Sequence, residues 1–210
     1  MSVPFPPMQR PLVAILRGIK PEETEAIVGV LIQAGMTAIE IPLNSPDPFR
    51  SIGLAVKLAP SGVLIGAGTV LTTADVDRLN DVGGRLMVSP NVDTEVLARA
   101  HQHGMVTMPG VFSPTEALLA ARSGASSLKF FPASVLGAAG IAAIRAVLPA
   151  GVMIAAVGGV SDQNFAEYMK GGVTAFGLGS SLYKPGMSAA DVAARAEVTI
   201  AAYDRAIQSD

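Results

Sequence analysis

Short runs of aliphatic and β-branched residues recur along the chain, and each is followed by a longer stretch with apolar positions spaced for a helix face. The first run is Leu12 to Leu16, ending on Arg17-Gly18; Pro21-Glu22-Glu23 then opens a helix that stops at Ala34-Gly35. Thr37 to Ile41 is the second run, with a helix opened by Ser45-Pro46-Asp47-Pro48 and lasting to about Ala59. Val63 to Ile65 is the third, leading into a Gly66-Ala67-Gly68-Thr69 loop and a helix from Thr72 or Thr73. Leu86 to Val88 and Met105 to Met108 follow, with helices from Asp93 to His103 and after the capping box Ser113-Pro114-Thr115-Glu116. The sixth run, Ser126 to Phe131, is stopped by Pro132 and precedes a helix from about Ala138 to Leu148. Val152 to Val157 ends in Gly158-Gly159, with a short helix from Ser161; Val173 to Phe176 ends in Gly177-Leu178-Gly179-Ser180-Ser181. Ser188 to Asp191 starts the last helix, which continues to about Ile207.

Eight strand–helix units without linkers or shifts in composition predict an α/β fold: one parallel eight-stranded β/α (TIM) barrel domain over residues 1–210, with residues 1–10 an irregular lead-in. A doubly wound open sheet is the alternative. Half of the 210 residues are hydrophobic, as expected where parallel strands are covered on both faces. The mean hydropathy of +0.47 raises a membrane question, but the longest charge-free apolar segment, Ala146 to Val160, is broken by Pro149 and Gly151 and too short to span. The start, rich in proline, lacks the features of a signal peptide, so the chain reads as soluble and cytoplasmic. With a net charge of −2, scattered basic residues and few aromatics, it offers no surface for nucleic acid. The absence of cysteine excludes disulfides and thiolate chemistry.

Sites in this fold lie at the carboxyl ends of the strands, which makes the polar residues there informative. Of seventeen acidic residues only Glu40 falls inside a predicted strand, and of five lysines only Lys129 does. They sit on the second and sixth strands, opposite each other in an eight-membered ring. Burying a lysine cation without a partner costs several kcal/mol, so the chain must neutralise it, pair it or use it. A neutral amine in an apolar pocket is a nucleophile. The bland readings are a snorkelling lysine or a structural ion pair; two opposed charges converging on the barrel axis favour catalysis. Arg17, closing the first strand, has a guanidinium suited to a carboxylate and would also disfavour protonation of a neighbouring lysine. Thr69 offers a hydroxyl beside exposed backbone amides. Gly158-Gly159 and Gly179-Ser180 follow the seventh and eighth strands, where this fold commonly binds phosphate.

Metal chemistry has little support: His101 and His103, the two histidines, fall at the end of the fourth helix, away from the strand ends. Lys57 and Lys170 read as solvated helix residues, and Lys20 and Lys184 as loop residues; neither metal nor cofactor is expected.

Glu40-Ile-Pro-Leu-Asn-Ser45, Gly66-Ala-Gly-Thr-Val70, Leu128-Lys-Phe-Phe-Pro132, Val157-Gly-Gly-Val160 and Gly177-Leu-Gly-Ser180 together resemble the class I aldolases that cleave 2-keto-3-deoxy-6-phospho sugar acids. The resemblance covers the whole chain in order. It implies a Schiff-base lysine at Lys129, a general acid/base at Glu40, carboxylate binding by Arg17 and Thr69, and phosphate binding by Gly158, Gly159, Gly179 and Ser180. It further implies a phosphorylated sugar acid as substrate, pyruvate and glyceraldehyde 3-phosphate as products, and a homotrimer. The 6-phosphogluconate branch shows Thr-Leu-Arg-Thr after the glutamate and threonine before the glycine pair. Pro42-Leu43-Asn44-Ser45 and Val157 stand there in this chain, as in the 6-phosphogalactonate branch. Val157 is therefore expected to face the C4 hydroxyl of the substrate. Two other readings stay open: the same reaction mainly on the gluconate epimer, or a metal-independent sugar-phosphate isomerase or binding barrel.

Overall fold

The strands assemble into one sheet in a computed structural model that describes residues 3–208. In chain order they are β1 (Leu12–Ile15), β2 (Ala38–Pro42), β3 (Leu64–Gly68), β4 (Leu86–Val88), β5 (Val106–Met108), β6 (Gly110–Val111), β7 (Leu128–Phe130), β8 (Ile154–Val157) and β9 (Ala175–Leu178). The helices are α1 (Pro21–Gln33), α2 (Pro48–Leu58), α3 (Thr73–Asp81), α4 (Thr94–Gln102), α5 (Pro114–Arg122), α6 (Ala133–Arg145), α7 (Phe165–Lys170) and α8 (Ala189–Gln208). The sheet runs β5-β4-β3-β2-β1-β9-β8-β7-β6, and every pair in it is parallel.

This is the expected β/α barrel, corrected in strand count: nine strands are present among the described residues where eight were expected. The fifth run is divided at Pro109, which has no N–H to give a ladder. Its carbonyl still accepts from Lys129 N–H at 3.0 Å, while Ser127 N–H reaches Thr107 O at 3.1 Å and Phe131 N–H reaches Val111 O at 3.1 Å. The two short pieces thus act as one bent strand, and the seam beside β7 is held by these bonds.

Alternation along the strands separates two cores. Leu12, Ala14, Leu16, Ile39, Ile41, Leu128, Phe130, Ile154 and Phe176 pack outward under the helices. Val13, Ala38, Leu86, Val88, Val106, Met108, Ala155 and Ala175 fill the barrel. The lead-in contributes to this inner cluster, since Val3, Phe5 and Met8 pack against it. Ser126 Oγ donates to Val3 O at 2.5 Å, and the Arg10–Asp204 salt bridge at 2.7 Å ties the same segment to α8.

Helix starts follow the polar signals in the chain. Thr72 Oγ1 accepts from Asp75 N–H, Asp93 from Glu95 and Val96, and Ser113 and Glu116 close a reciprocal capping box. Several boundaries differ from expectation: β9 is Ala175–Leu178, so Gly177 and Leu178 belong to the strand rather than to the loop after it, and three others have a local cause. Gly66-Ala67-Gly68 belongs to β3, because Gly66 and Gly68 pair with Glu40 and Pro42 of β2. α6 starts at Ala133 rather than Ala138, with a break at Gly137 between two helical pieces. α7 starts at Phe165 rather than Ser161, because Asn164 Oδ1 accepts from Ser161 N–H at 2.9 Å and makes a turn of those residues. Among the described residues no helix is long and apolar enough to cross a membrane.

Candidate active site

Parallel pairing sets the orientation of the two charged strand residues. Glu40 pairs with Ile15 and Gly66, and Lys129 pairs with Gly110 and Ala155. Ala38, two residues before Glu40, and Ala155, level with Lys129, both belong to the inner cluster, so both charged side chains start inward. Among the described residues Lys129 is the one buried lysine and Glu40 the one buried acid, 7% and 3% exposed.

Their environment shifts both toward neutrality. Burial lowers the Lys129 amine from 10.5 to about 8; the Arg17 charge pushes the same way, and Glu40 opposes. Burial likewise raises the Glu40 carboxyl from 4.5 to about 7, against the pull of Lys129, Arg17 and the Gly68 backbone amide. Glu40 Oε2 is buried and has no hydrogen-bond partner. Bare Gly68 leaves room for the Glu40 carboxylate, because a Cβ at that position would force that side chain to move. The Lys129 Nζ lies 4.9 Å from the centroid of the Phe131 ring, which shields it from solvent while contributing a weakly attractive π face. An amine lowered to about 8 keeps a reactive neutral fraction near neutral pH, roughly a tenth at pH 7, and can attack a carbonyl, while a carboxyl group that titrates near neutrality can move protons around the adduct.

A cleft of about 150 Å³ lies near this pair, lined by Ile15, Arg17, Phe131, Val157, Gly177 and the two glycine loops that hold Gly158, Gly159, Gly179 and Ser180. Lys129 and Glu40 do not line it themselves, and Phe131, whose ring faces the Lys129 amine, stands between. Gly158 and Gly159 have φ of +88° and +81°, which an L side chain rarely adopts, and added Cβ atoms would press on Phe131 and Ser134. Bare backbone at this point leaves room for an anion to approach. Val157 is buried, and its methyls face Gly177 across the ladder, so the side chain points into the cleft. Arg17 is exposed at its rim, with Nη1 donating to Asn44 Oδ1 at 2.6 Å.

Thr69 follows β3 half-buried, with φ of +56°. That conformation is costly for a β-branched residue and is a mark of sites where geometry overrides local preference. It is not among the residues lining the cleft with Arg17. Lys184 is exposed, and His101 and His103 lie at the end of α4, where His103 Nε2 is 2.8 Å from Asp77 Oδ1. Among the described residues no three His, Asp or Glu side chains gather as a metal ion would need.

Sequence reasoning gave no site role to Phe131 or Ile15 and marked Asn44 and Ser45 only as part of a branch-specific stretch, without their contacts to the Arg17 loop. Phe131 adjoins Lys129, and Ile15 lies two positions before Arg17, so strand alternation could have flagged both. The Arg17–Asn44 contact spans 27 positions and leaves no local signal.

A barrel that holds a buried amine and a buried carboxyl group near a glycine-walled cleft carries the groups that carbonyl chemistry needs. The sequence profile described as "Aldolase: KDPG and KHG aldolase" matches residues 8–198, and the chain belongs to that family of carbon–carbon lyases. It is 72% identical over 202 residues, 96% of this chain and 95% of the relative, to the probable 2-dehydro-3-deoxy-6-phosphogalactonate aldolase of Rhizobium meliloti strain 1021. It is 46% identical over 198 residues, 94% of this chain and 97% of the relative, to the 2-dehydro-3-deoxy-6-phosphogalactonate aldolase of Escherichia coli K12. A solved native KDPGal structure superposes with a TM-score of 0.94 at 45% identity, covering 96% of this chain and 98% of that one.

Proposed function

We propose that this aldolase cleaves 2-dehydro-3-deoxy-6-phosphogalactonate to pyruvate and glyceraldehyde 3-phosphate through a Schiff base on Lys129. The observation that carries the reading is the buried Lys129 amine, lowered to about 8 and set across the barrel from a buried Glu40 carboxyl. The likeness to two relatives named for that activity supports the substrate.

The neutral Nζ attacks the C2 ketone, and the carbinolamine loses water to give an iminium. Glu40, directly or through a water, takes the proton of the C4 hydroxyl. The C3–C4 bond then breaks, with its electron pair flowing into the iminium to leave an enamine and the aldehyde. Returning a proton to C3 and adding water releases pyruvate and restores the amine. Arg17 and Thr69 hold the C1 carboxylate, and Gly158, Gly159, Gly179 and Ser180 hold the phosphate. The enzyme works as a cytoplasmic homotrimer without metal or cofactor. Incubation with pyruvate and borohydride should leave one stable adduct on the peptide that contains Lys129, absent from Lys129→Ala. An adduct elsewhere, or none where cleavage proceeds, overturns the Schiff-base reading.

Val157 supports the galactonate epimer. It presents methyl groups to the cleft where threonine would present a hydroxyl, and an unmet polar group in a closed site costs roughly 1 to 3 kcal/mol. Assayed on both epimers, the enzyme should prefer the galactonate, and Val157→Thr should raise relative gluconate activity. An unchanged ratio would make Val157 simple packing.

A further inference from the structure

The loop that carries Arg17 is gripped by the loop after β2. Gly18 N–H donates to the buried Ser45 Oγ at 2.9 Å, and Arg17 Nη1 donates to Asn44 Oδ1 at 2.6 Å. The turn that presents Asn44 is itself held on both sides: Leu43 N–H reaches Gly68 O at 2.8 Å, and Ser45 N–H reaches Pro42 O at 2.9 Å. Asn44 therefore stands on a rigid platform beside the cleft. Both side chains are exposed, but Arg17 is long and sits on the cleft rim, and an arginine there loses substantial rotamer freedom when it is fixed. It makes no salt bridge among those in the described residues.

We infer that Asn44 is a positioning residue, whose carboxamide oxygen aims the Arg17 guanidinium at the substrate carboxylate without neutralising it. The chemistry of the acceptor is the point. A carboxylate at position 44 would orient Arg17 as well or better, but it would satisfy the charge and compete with an anionic substrate for the same donors. An amide oxygen takes one N–H and leaves the positive charge and the remaining donors free. This inference rests on the reading of Arg17 as the carboxylate grip.

The test measures kcat and the KM for pyruvate, condensed with glyceraldehyde 3-phosphate, in the wild type, Arg17→Ala, Asn44→Ala, Asn44→Asp and the Arg17→Ala/Asn44→Ala double variant. Asn44→Ala should raise KM by about 3- to 10-fold, the range of an ordinary hydrogen bond between exposed side chains, with kcat changed by less than about 2-fold. The double variant should match Arg17→Ala alone, because Asn44 has nothing to aim once the guanidinium is gone. Asn44→Asp should raise KM more than Asn44→Ala does. That arm separates the inference from a merely structural role, since aspartate has the shape of asparagine and a residue that only builds the turn would tolerate it. If Arg17→Ala raises KM while Asn44→Ala is silent or multiplies with it, or if Asn44→Asp behaves as wild type, the inference falls and the Arg17 reading stands. If Arg17→Ala leaves KM unchanged, both fall.

Discussion

At the amino end of the barrel the inward positions of five strands are Val13, Ala38, Leu86, Val106 and Ala175; two residues further along the same strands they are Ile15, Glu40, Val88, Met108 and Gly177. Lys129 stands level with Ala155, and the small side chains of Ala155 and Ala175 and bare Gly177 leave space for the amine to extend toward the cleft. The lower layer is closed by Val3, Phe5 and Met8 and serves packing. The upper layer holds Glu40, which keeps a buried oxygen without a partner, and Lys129 starts from the level of Ala155 and Ala175 below it; burial of both ionisable groups is unfavourable. The same strands thus carry packing at one end and ionisable groups at the other, where the left-handed backbone of Thr69, Gly158 and Gly159 adds to the difference in side chains. That is the division expected of this architecture.

The comparison can be broken from either side. The largest effect is expected at Glu40: Glu40→Gln keeps shape and removes the transferable proton, so kcat should fall by on the order of 10² to 10⁴ with little loss of stability. A variant that keeps its turnover would remove Glu40 from proton transfer. Next comes the packed end, where Leu86→Ala empties a fully buried position. Urea denaturation should show a loss of about 2 to 5 kcal/mol, while the folded fraction keeps its turnover within a few-fold. A stability loss below about 1 kcal/mol would mean that the lower layer collapses to refill the space.

The smallest effect is the pH dependence of stability. Glu40 holds its proton more tightly folded than unfolded, so between pH 4.5 and about 7 the folded state loses stability as pH rises. Lys129 holds its proton less tightly folded, so stability is regained as pH rises from about 8 to 10.5. Relative to a Glu40→Gln/Lys129→Met variant, which has neither titration, the wild-type Tm should therefore be lowest between about pH 7 and 8 and recover on both sides. A difference in Tm that is flat with pH would show that the two groups are as well solvated folded as unfolded.

Much of the site was legible because the barrel converts a one-dimensional pattern into a location. Glu40 and Lys129 could be picked out as the charges inside apolar runs, since strand periodicity reports burial directly, whereas Val157 stood out only through the family resemblance. The divided fifth strand was less legible: Pro109 marks a break, but whether the chain resumes pairing after it depends on the neighbouring strand. Gly66-Ala67-Gly68 read as a loop because glycine is a local turn signal, whereas its place in β3 comes from bonds to β2. The backbone of Thr69 in the left-handed region was invisible for the complementary reason, that threonine carries no local preference for it.

What the sequence by itself determined is the βα rhythm, the helix starts set by Thr72, Asp93 and Ser113, and the two buried charges, all of which depend on residues within a few positions of one another. What only the tertiary structure decided is how distant pieces meet: Gly68 bare against Glu40, the lead-in packed on the inner core, and Arg17 tied to Asn44 across 27 positions. Such contacts follow from strand register and loop packing, and these are settled by the whole barrel minimising exposed apolar surface and unpaired backbone groups.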